Sequence, residues 1–201
     1  MYDLIGLIAG VVGLAGYAPY VRDILAGKTQ PDRTSWLIWT LEYAVLCAAQ
    51  IAKGAGPALW LAGLQFVGVI IVYALSFKYG VGKLDRHKAI LLACICVALS
   101  TWFFSSDATL AIWILVAVEA TGGLLTALKV YRDPGSETLT MWVLLSVAGG
   151  LGVFAIAPGN AGILYLYPIF LVGMGAVIVA ASKLGARKAR IEAFYSEPNN
   201  A

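Results

Sequence analysis

Two carboxylates of this sequence, Glu42 and Glu119, lie inside long apolar segments. An ionised side chain in hydrocarbon costs at least ~2.5 kcal/mol, so such a carboxyl is expected to face the protein interior and to have a partner. No Lys or Arg falls at the same depth in any apolar segment. The expected states are therefore a protonated carboxyl, or one neutralised by a bound cation or substrate, as in proton-coupled and cation-binding sites.

The depth of both carboxylates places them near the middle of their segments. At 1.5 Å per residue, Glu42 lies ~12 Å and Glu119 ~16 Å from the nearer charged end. The alternative to a functional site is a structural one, in which each protonated carboxyl bonds to a neighbouring helix through Tyr43, Thr40 or Thr121.

Other residues of the apolar segments extend the candidate site. The amide of Gln65 needs hydrogen-bond partners in lipid, and Trp39 shares a helix face with Trp36, three residues before it. We expect Trp36, like Trp60 and Trp142, to be an interfacial anchor. The predicted substrate-binding residues are Glu42, Glu119, Gln65, Trp39, Tyr43 and Tyr165. Pro168, which lacks a backbone N–H, predicts a kink or hinge inside the last apolar segment.

The remaining reactive residues do not suggest catalysis, a metal or a cofactor. Cys47, Cys94 and Cys96 fall in apolar runs without a His or carboxylate to complete a metal site, and are expected to pack. His87 lies in a basic loop and is expected to be solvated. The sequence contains no HExxH and no GxSxG motif, so we do not expect an enzyme.

The composition indicates an all-α membrane protein. Hydrophobic residues make up 61% of the 201 residues and charged residues only 12%, which is too little polar surface for a water-soluble globule. The first apolar run lacks the basic stretch and cleavage site of a signal peptide and is expected to be retained. Segments of about 20 residues predict seven transmembrane helices at 4–25, 34–52, 57–78, 88–105, 108–130, 138–156 and 160–182.

The basic residues predict the orientation of the chain. With seven spans, Lys53 lies on one side of the membrane and the other 13 of the 14 Lys and Arg residues lie on the opposite side. Since positive loops stay inside, we expect a plasma (inner) membrane protein with its N-terminus outside and its C-terminus cytoplasmic. The excess of Lys and Arg therefore reports orientation in a lipid bilayer, and we do not expect nucleic acid as a partner.

An internal repeat is suggested by two pairs of motifs. Tyr20-Val21-Arg22-Asp23 and Thr34-Ser35-Trp36 are echoed by Val130-Tyr131-Arg132-Asp133 and Thr140-Met141-Trp142. The echo predicts a 3-1-3 parallel repeat with the substrate between the halves: a first three-helix unit at 1–82, a linker helix at 83–107, a second unit at 108–182 and a cytoplasmic tail at 183–201. The alternative is that the similarity of the motifs arises by chance, because charged residues such as Arg-Asp are common at cytoplasmic helix ends.

These features resemble the PQ-loop and SWEET superfamily. Pro19-Tyr20 stands where that family has its Pro-Gln pair, and Gly27-Lys28-Thr29-Gln30-Pro31-Asp32-Arg33-Thr34-Ser35-Trp36 with Tyr131-Arg132-Asp133-Pro134-Gly135-Ser136-Glu137 resembles a group of bacterial PQ-loop-like proteins. The resemblance implies the 3-1-3 fold and a hinge at Pro19. This sequence departs from the family in having Tyr20 instead of Gln, and Ala127-Leu128-Lys129 where a second Pro is expected.

We therefore expect a membrane transporter or facilitator of a small polar molecule, such as a sugar, vitamin, amino acid or cation, with proton coupling left open. The alternative is a receptor or interaction protein on the same fold, whose basic loops and tail recruit partners. The tail is compatible with a short helix on anionic lipid and with a solvated end. Two fused halves are compatible with both a monomer and a homo-oligomer.

Overall fold

The computed structural model describes residues 1–28, 30–137 and 139–196, and these residues form a helical bundle. Its α-helices are α1 (Tyr2–Ala15), α2 (Tyr17–Leu25), α3 (Arg33–Ala52), α4 (Leu59–Tyr79), α5 (Arg86–Ser105), α6 (Ala108–Arg132), α7 (Leu139–Ala155) and α8 (Leu166–Ser196). Short 3₁₀ helices at Gly56–Ala58 and Gly162–Tyr165 lead into α4 and α8. For most of the helix ends, the predicted boundary therefore lies within a few residues of the observed one.

The surface of the bundle is that of a multi-pass membrane protein. Within the described residues, six helical stretches are long and apolar enough to cross a bilayer, and α7, with 17 residues, is a shorter apolar helix. Large apolar side chains point outward, such as Phe103 and Phe104 at 81% and 83% exposure. Because such surface is unfavourable in water, lipid is the solvent that this exterior fits.

For description, we call the helical stretch α1–α2 with α3 and α4 the first helix group, and α6, α7 and α8 the second. α4 contacts both α1 and α3, and α8 contacts both α6 and α7. The groups meet where α1 contacts α7 and where α3 contacts α6, while α5 packs on α6 and α3. α4 and α8 thus each link two helices of their own group, and α1 links the first group to α7.

Small residues allow the closest approaches between helices. A methyl group added at Gly149 of α7 would lie 2.6 Å from the carbonyl oxygen of Pro168 in α8. Gly13 of α1 faces the side chain of Gln65 in α4, and Gly123 of α6 faces that of Met174 in α8. Glycine at these positions lets a neighbouring backbone or a long side chain reach the helix surface.

One end of the bundle, here named the basic face, carries the described connecting residues 26–28, 30–32, 80–85 and 133–137. Val81 joins two of these connections: its N–H donates to the Pro31 carbonyl at 3.0 Å, and its own carbonyl accepts from the Arg33 N–H at 2.7 Å. The Arg33 guanidinium donates to the carbonyl of Ser76 at 3.1 Å. These bonds satisfy exposed backbone groups at the ends of α3 and α4.

The opposite face is closed by polar and apolar contacts. Lys53 forms an ion pair with Asp107, and the Asn160 amide donates to the carbonyl of Gly54 at 3.1 Å. Beneath them lies a small buried cluster of Ala55, Ala58, Ile156 and Leu164. Lys53, the one basic residue predicted for this side, is thus neutralised by an acidic partner.

The first helical stretch is interrupted at Gly16, where α1 gives way to α2. Pro19 explains the break, because it has no N–H to donate to the carbonyl of Ala15, four residues earlier. Pro168 differs from the sequence expectation: it is the third residue of α8, directly after a 3₁₀ helix. Proline is tolerated in the first turn, so Pro168 does not kink a continuous span, and the hinge roles of both prolines stay predictions.

The final helix is longer than the predicted seventh span. α8 runs without interruption to Ser196, so the residues after 182 continue the helix instead of starting a separate segment. Residues 197–201 of the expected tail lie outside the described residues.

Candidate functional site

A cavity of about 340 Å³ lies between the two groups of three helices. Its walls come from α2, α3 and α4 on one side and from α6, α7 and α8 on the other. The residues that line it are Tyr17, Tyr20, Gln30, Asp32, Ser35, Trp36, Trp39, Tyr43, Val69, Glu119, Gly122, Gly123, Thr126, Glu137, Met141, Trp142, Leu145, Phe170, Leu171 and Met174. The volume is at the lower end of the range of small-molecule sites, roughly 300–1,000 Å³.

The cavity runs from the basic face to the middle of the bundle. Gln30, Asp32 and Glu137 lie at its outer end, in the connections before α3 and α7. Glu119 lies at its inner end, about 20 Å from the end of α6 at 1.5 Å per residue. A ligand entering from the basic face therefore reaches a carboxyl at mid-membrane depth.

Three side chains link the helices at the inner end of the cavity. The Tyr43 hydroxyl donates to Oε1 of Glu119 at 2.8 Å, and the Tyr167 hydroxyl donates to that of Tyr43 at 2.9 Å. The two tyrosine rings meet edge to face, with centroids 6.1 Å apart. The chain of bonds runs from α8 through α3 to α6 and fixes the Glu119 carboxyl between the two helix groups.

Trp36 organises an aromatic wall along the cavity. Its ring centroid lies 6.3 Å from that of Tyr17, 5.4 Å from that of Tyr20 and 4.8 Å from that of Trp39. Trp36 is only 5% exposed, because neighbouring rings cover most of its surface. Such an aromatic cluster offers ring surface to a ligand at low cost in side-chain entropy.

Both carboxylates at the mouth have lysine partners. Asp32 accepts a 2.7 Å bond from Lys88, and Glu137 accepts a 2.7 Å bond from Lys129. Partial burial raises the pKa of Asp32, but the hydrogen bonds from Lys88 and Ser35 outweigh it and hold that pKa below its usual value. Asp32 also caps α3 through the N–H of Ser35 at 2.8 Å.

The structure brings together only part of the predicted site. Trp39, Tyr43 and Glu119 line the cavity. Glu42 and Gln65 are buried behind its walls, and among the described residues no hydrogen bond reaches Oε2 of Glu42 or either terminal atom of the Gln65 amide. Tyr165 lies at the opposite face, against the cluster around Leu164, because the 3₁₀ helix there turns it away from the cavity.

Sequence reasoning missed several residues of the site. Trp36 and Trp142, expected to be interfacial anchors, both line the cavity, whereas Trp60 is 44% exposed and does not. A signal that could have found the two cavity-lining tryptophans is the predicted repeat, in which Trp36 and Trp142 would hold equivalent positions. Tyr167 was also missed, since nothing in its local sequence separates it from Tyr165.

No metal site accompanies the cavity within the part of the chain that the structure describes: no group of three or more His, Cys, Asp or Glu side chains there could hold an ion. The lining combines aromatic rings, three carboxylates and a few small polar groups, which suits a small organic ligand. Comparison with models of known protein families, with curated proteins and with solved structures finds no match to this chain.

Proposed function

We propose that this chain is a transporter or facilitator of a small polar molecule, with seven spans in a 3-1-3 parallel repeat and the substrate bound between the halves. The observation that carries the proposal is the cavity itself. It lies at the junction of two three-helix groups and connects the basic face with Glu119 at mid-membrane depth. Transporters with internal repeats bind their substrates at this place.

Packing within the two groups supports the repeat. In each group the third helix, α4 or α8, contacts the other two. A glycine of each first helix faces a long side chain of the third: Gly13 faces Gln65, and Gly123 faces Met174. Gly13 and Gly123 correspond when the Arg22-Asp23 motif is superposed on Arg132-Asp133, and Gln65 then falls one residue from the position of Met174. The sequence echo and the packing therefore favour a similar correspondence.

The lining of the cavity supports the same symmetry. Ser35 and Trp36 of the first half correspond to Met141 and Trp142 of the second, and all four line the cavity. A site built from equivalent positions of two halves is expected when a duplicated unit encloses a ligand. The resemblance to the PQ-loop and SWEET superfamily, stated from the sequence, agrees with this arrangement.

The proposed orientation follows from the charges. The cavity mouth opens on the basic face, which the positive-inside rule assigns to the cytoplasm. In this orientation the protein resides in the plasma membrane, with Lys53 and Asp107 outside and the cavity facing inward.

Uptake into proteoliposomes tests the proposal. The purified full-length protein would be reconstituted and offered a labelled panel of sugars, amino acids, vitamins, and organic and inorganic cations. The expected result is uptake of at least one solute above that of protein-free vesicles. Absence of flux for every solute, together with a protein that co-purifies stably, would favour a receptor or interaction protein instead.

Two threonines of α6 allow a test of whether the transported solute passes through the cavity. Thr126 lines the cavity, whereas Thr121 on the same helix is exposed toward lipid, and each hydroxyl bonds only to its own helix. In a background without the native cysteines, modification of Thr126→Cys by a bulky thiol reagent is expected to block uptake. The same treatment of Thr121→Cys should leave uptake unchanged, and equal inhibition of both variants would remove the cavity from the mechanism.

A further inference from the structure

The charged and aromatic residues around the cavity identify the kind of solute it suits. Seven of its 20 lining residues are aromatic, and three, Asp32, Glu119 and Glu137, are carboxylates, while none of the lining residues is Lys, Arg or His. An anionic ligand would meet the carboxylate of Glu119 with no cationic side chain among the lining residues. A neutral sugar would donate hydroxyl hydrogen bonds to Glu119 but would leave its charge uncompensated. The lining thus favours a positively charged ligand.

Of the three carboxylates, Glu119 is the one available to a ligand. Asp32 and Glu137 at the mouth are engaged by Lys88 and Lys129. Glu119 has a hydrogen bond from Tyr43 at one oxygen, and no ion pair to it occurs among the described residues. A carboxylate accepts hydrogen bonds at both oxygens, so its second oxygen remains for a cationic group in the cavity.

The aromatic side chains of the cavity favour an organic cation over an inorganic one. Metal ions such as Ca²⁺ or Mg²⁺ require about six oxygen ligands, and the described residues hold no cluster of that kind. Electron-rich faces of Trp and Tyr attract an ammonium group or a quaternary nitrogen within about 6 Å. Tyr17, Tyr20 and Trp39 pack edge-on or tilted around Trp36, and these rings line the wall that leads to Glu119.

We infer that the cavity accepts a small organic cation, whose nitrogen is held by the aromatic wall around Trp36 and whose charge is balanced by Glu119. This inference rests on the proposed function, because it names the substrate class of the same site. Tyr43 orients the carboxylate through its hydrogen bond to Oε1.

A charge-matched pair of ligands tests the inference. Binding of choline to the purified full-length protein in detergent would be measured beside dimethylbutanol, its uncharged isostere with carbon in place of the nitrogen. Ethanolamine extends the series to a primary ammonium, and acetate serves as the anion. At least one cation is expected to bind about tenfold or more tightly than the isostere, with no binding of acetate.

Substitutions test separately the contributions of Glu119 and of the aromatic wall to cation binding. Glu119→Gln, which keeps an acceptor for Tyr43, and Trp36→Leu are each expected to weaken cation binding by about tenfold or more. Asp23→Asn on the basic face and Trp113→Leu on the lipid-facing side of α6, neither of which lines the cavity, should bind as the unaltered protein does. Thermal unfolding of each variant shows whether it remains folded.

The outcomes separate this inference from the proposed function. If the protein transports a neutral or anionic solute and neither cation competes, the substrate class is wrong while the transport proposal stands. If cations bind with the expected dependence on Glu119 and no solute crosses the membrane, the cation site stands and the transport proposal fails. Equal binding of choline and its isostere would overturn the inference directly.

Discussion

The hydroxyl of Tyr43 donates a hydrogen bond of 2.8 Å to Glu119, which lies 76 residues further along the chain and on the other helix group. This bond joins α3 to α6 at the inner end of the cavity. It gives Glu119 a donor in place of the water that a surface carboxylate would have. The position of the Glu119 carboxyl thus depends on the hydroxyl of Tyr43.

The first prediction concerns this bond. Tyr43→Phe removes the donor to Glu119 and the acceptor of Tyr167, and is expected to lower the free energy of unfolding by about 1–3 kcal/mol, because a buried carboxyl loses its partner. Tyr167→Phe removes only the bond between the two hydroxyls and should cost about 1 kcal/mol. Thermal or denaturant unfolding in detergent compares them, and a larger effect of Tyr167→Phe would contradict this account of the bonds.

A second prediction concerns orientation. Ser105 at the opposite face and Lys83 at the basic face are both exposed. In intact cells, and without the native cysteines, a membrane-impermeant maleimide is expected to label Ser105→Cys and to label Lys83→Cys only after permeabilisation. The reverse pattern would show that the cavity mouth faces outward.

Sequence reasoning located the helices better than the site. Long apolar runs identify membrane helices because the bilayer demands internal hydrogen bonding over about 20 residues, and these runs coincide with the observed helices. The break at Gly16 was not predicted. The carbonyl that loses its donor, that of Ala15, lies four residues before Pro19, so the break does not fall at the proline itself.

The site was harder to predict, because a run of apolar residues does not reveal which helix face looks into a cavity. Glu119, Trp39 and Tyr43, which were predicted from their residue types and spacing, line the cavity. Glu42, next to Tyr43, points into the packed interior with 1% exposure, and Gln65 is held against Gly13. Helix rotation and partner choice depend on packing between distant segments, and one sequence contains that information only weakly.

A third prediction tests the packing of α7 on α8. In Gly149→Ala the new methyl group would lie 2.6 Å from the Pro168 carbonyl oxygen, so the helices must separate. We expect a loss of about 1–3 kcal/mol in the free energy of unfolding. The adjacent Gly150 has open space around it, so Gly150→Ala should be neutral or stabilise the helix by up to about 1 kcal/mol. Similar unfolding temperatures for the two variants would contradict the close approach.

The fourth prediction concerns acid stability at the basic face. The pKa of Asp32 lies below its usual value of 3.8 in the folded protein, since the bonds from Lys88 and Ser35 outweigh its partial burial. A depressed folded pKa contributes stability that is present above the usual pKa and is lost as the pH falls through the folded value. Asp32→Asn keeps a helix-capping side chain but removes the ion pair.

The unaltered protein should therefore unfold at a higher temperature than Asp32→Asn at neutral pH. The difference should shrink below about pH 4, as protonation of Asp32 removes the same ion pair. Asp133→Asn, at the same face and without an ion pair among the described residues, serves as the control and should show no such narrowing. A difference between the unaltered protein and Asp32→Asn that persists unchanged at about pH 3 would mean that the carboxylate contributes no ion-pair stability in the folded protein.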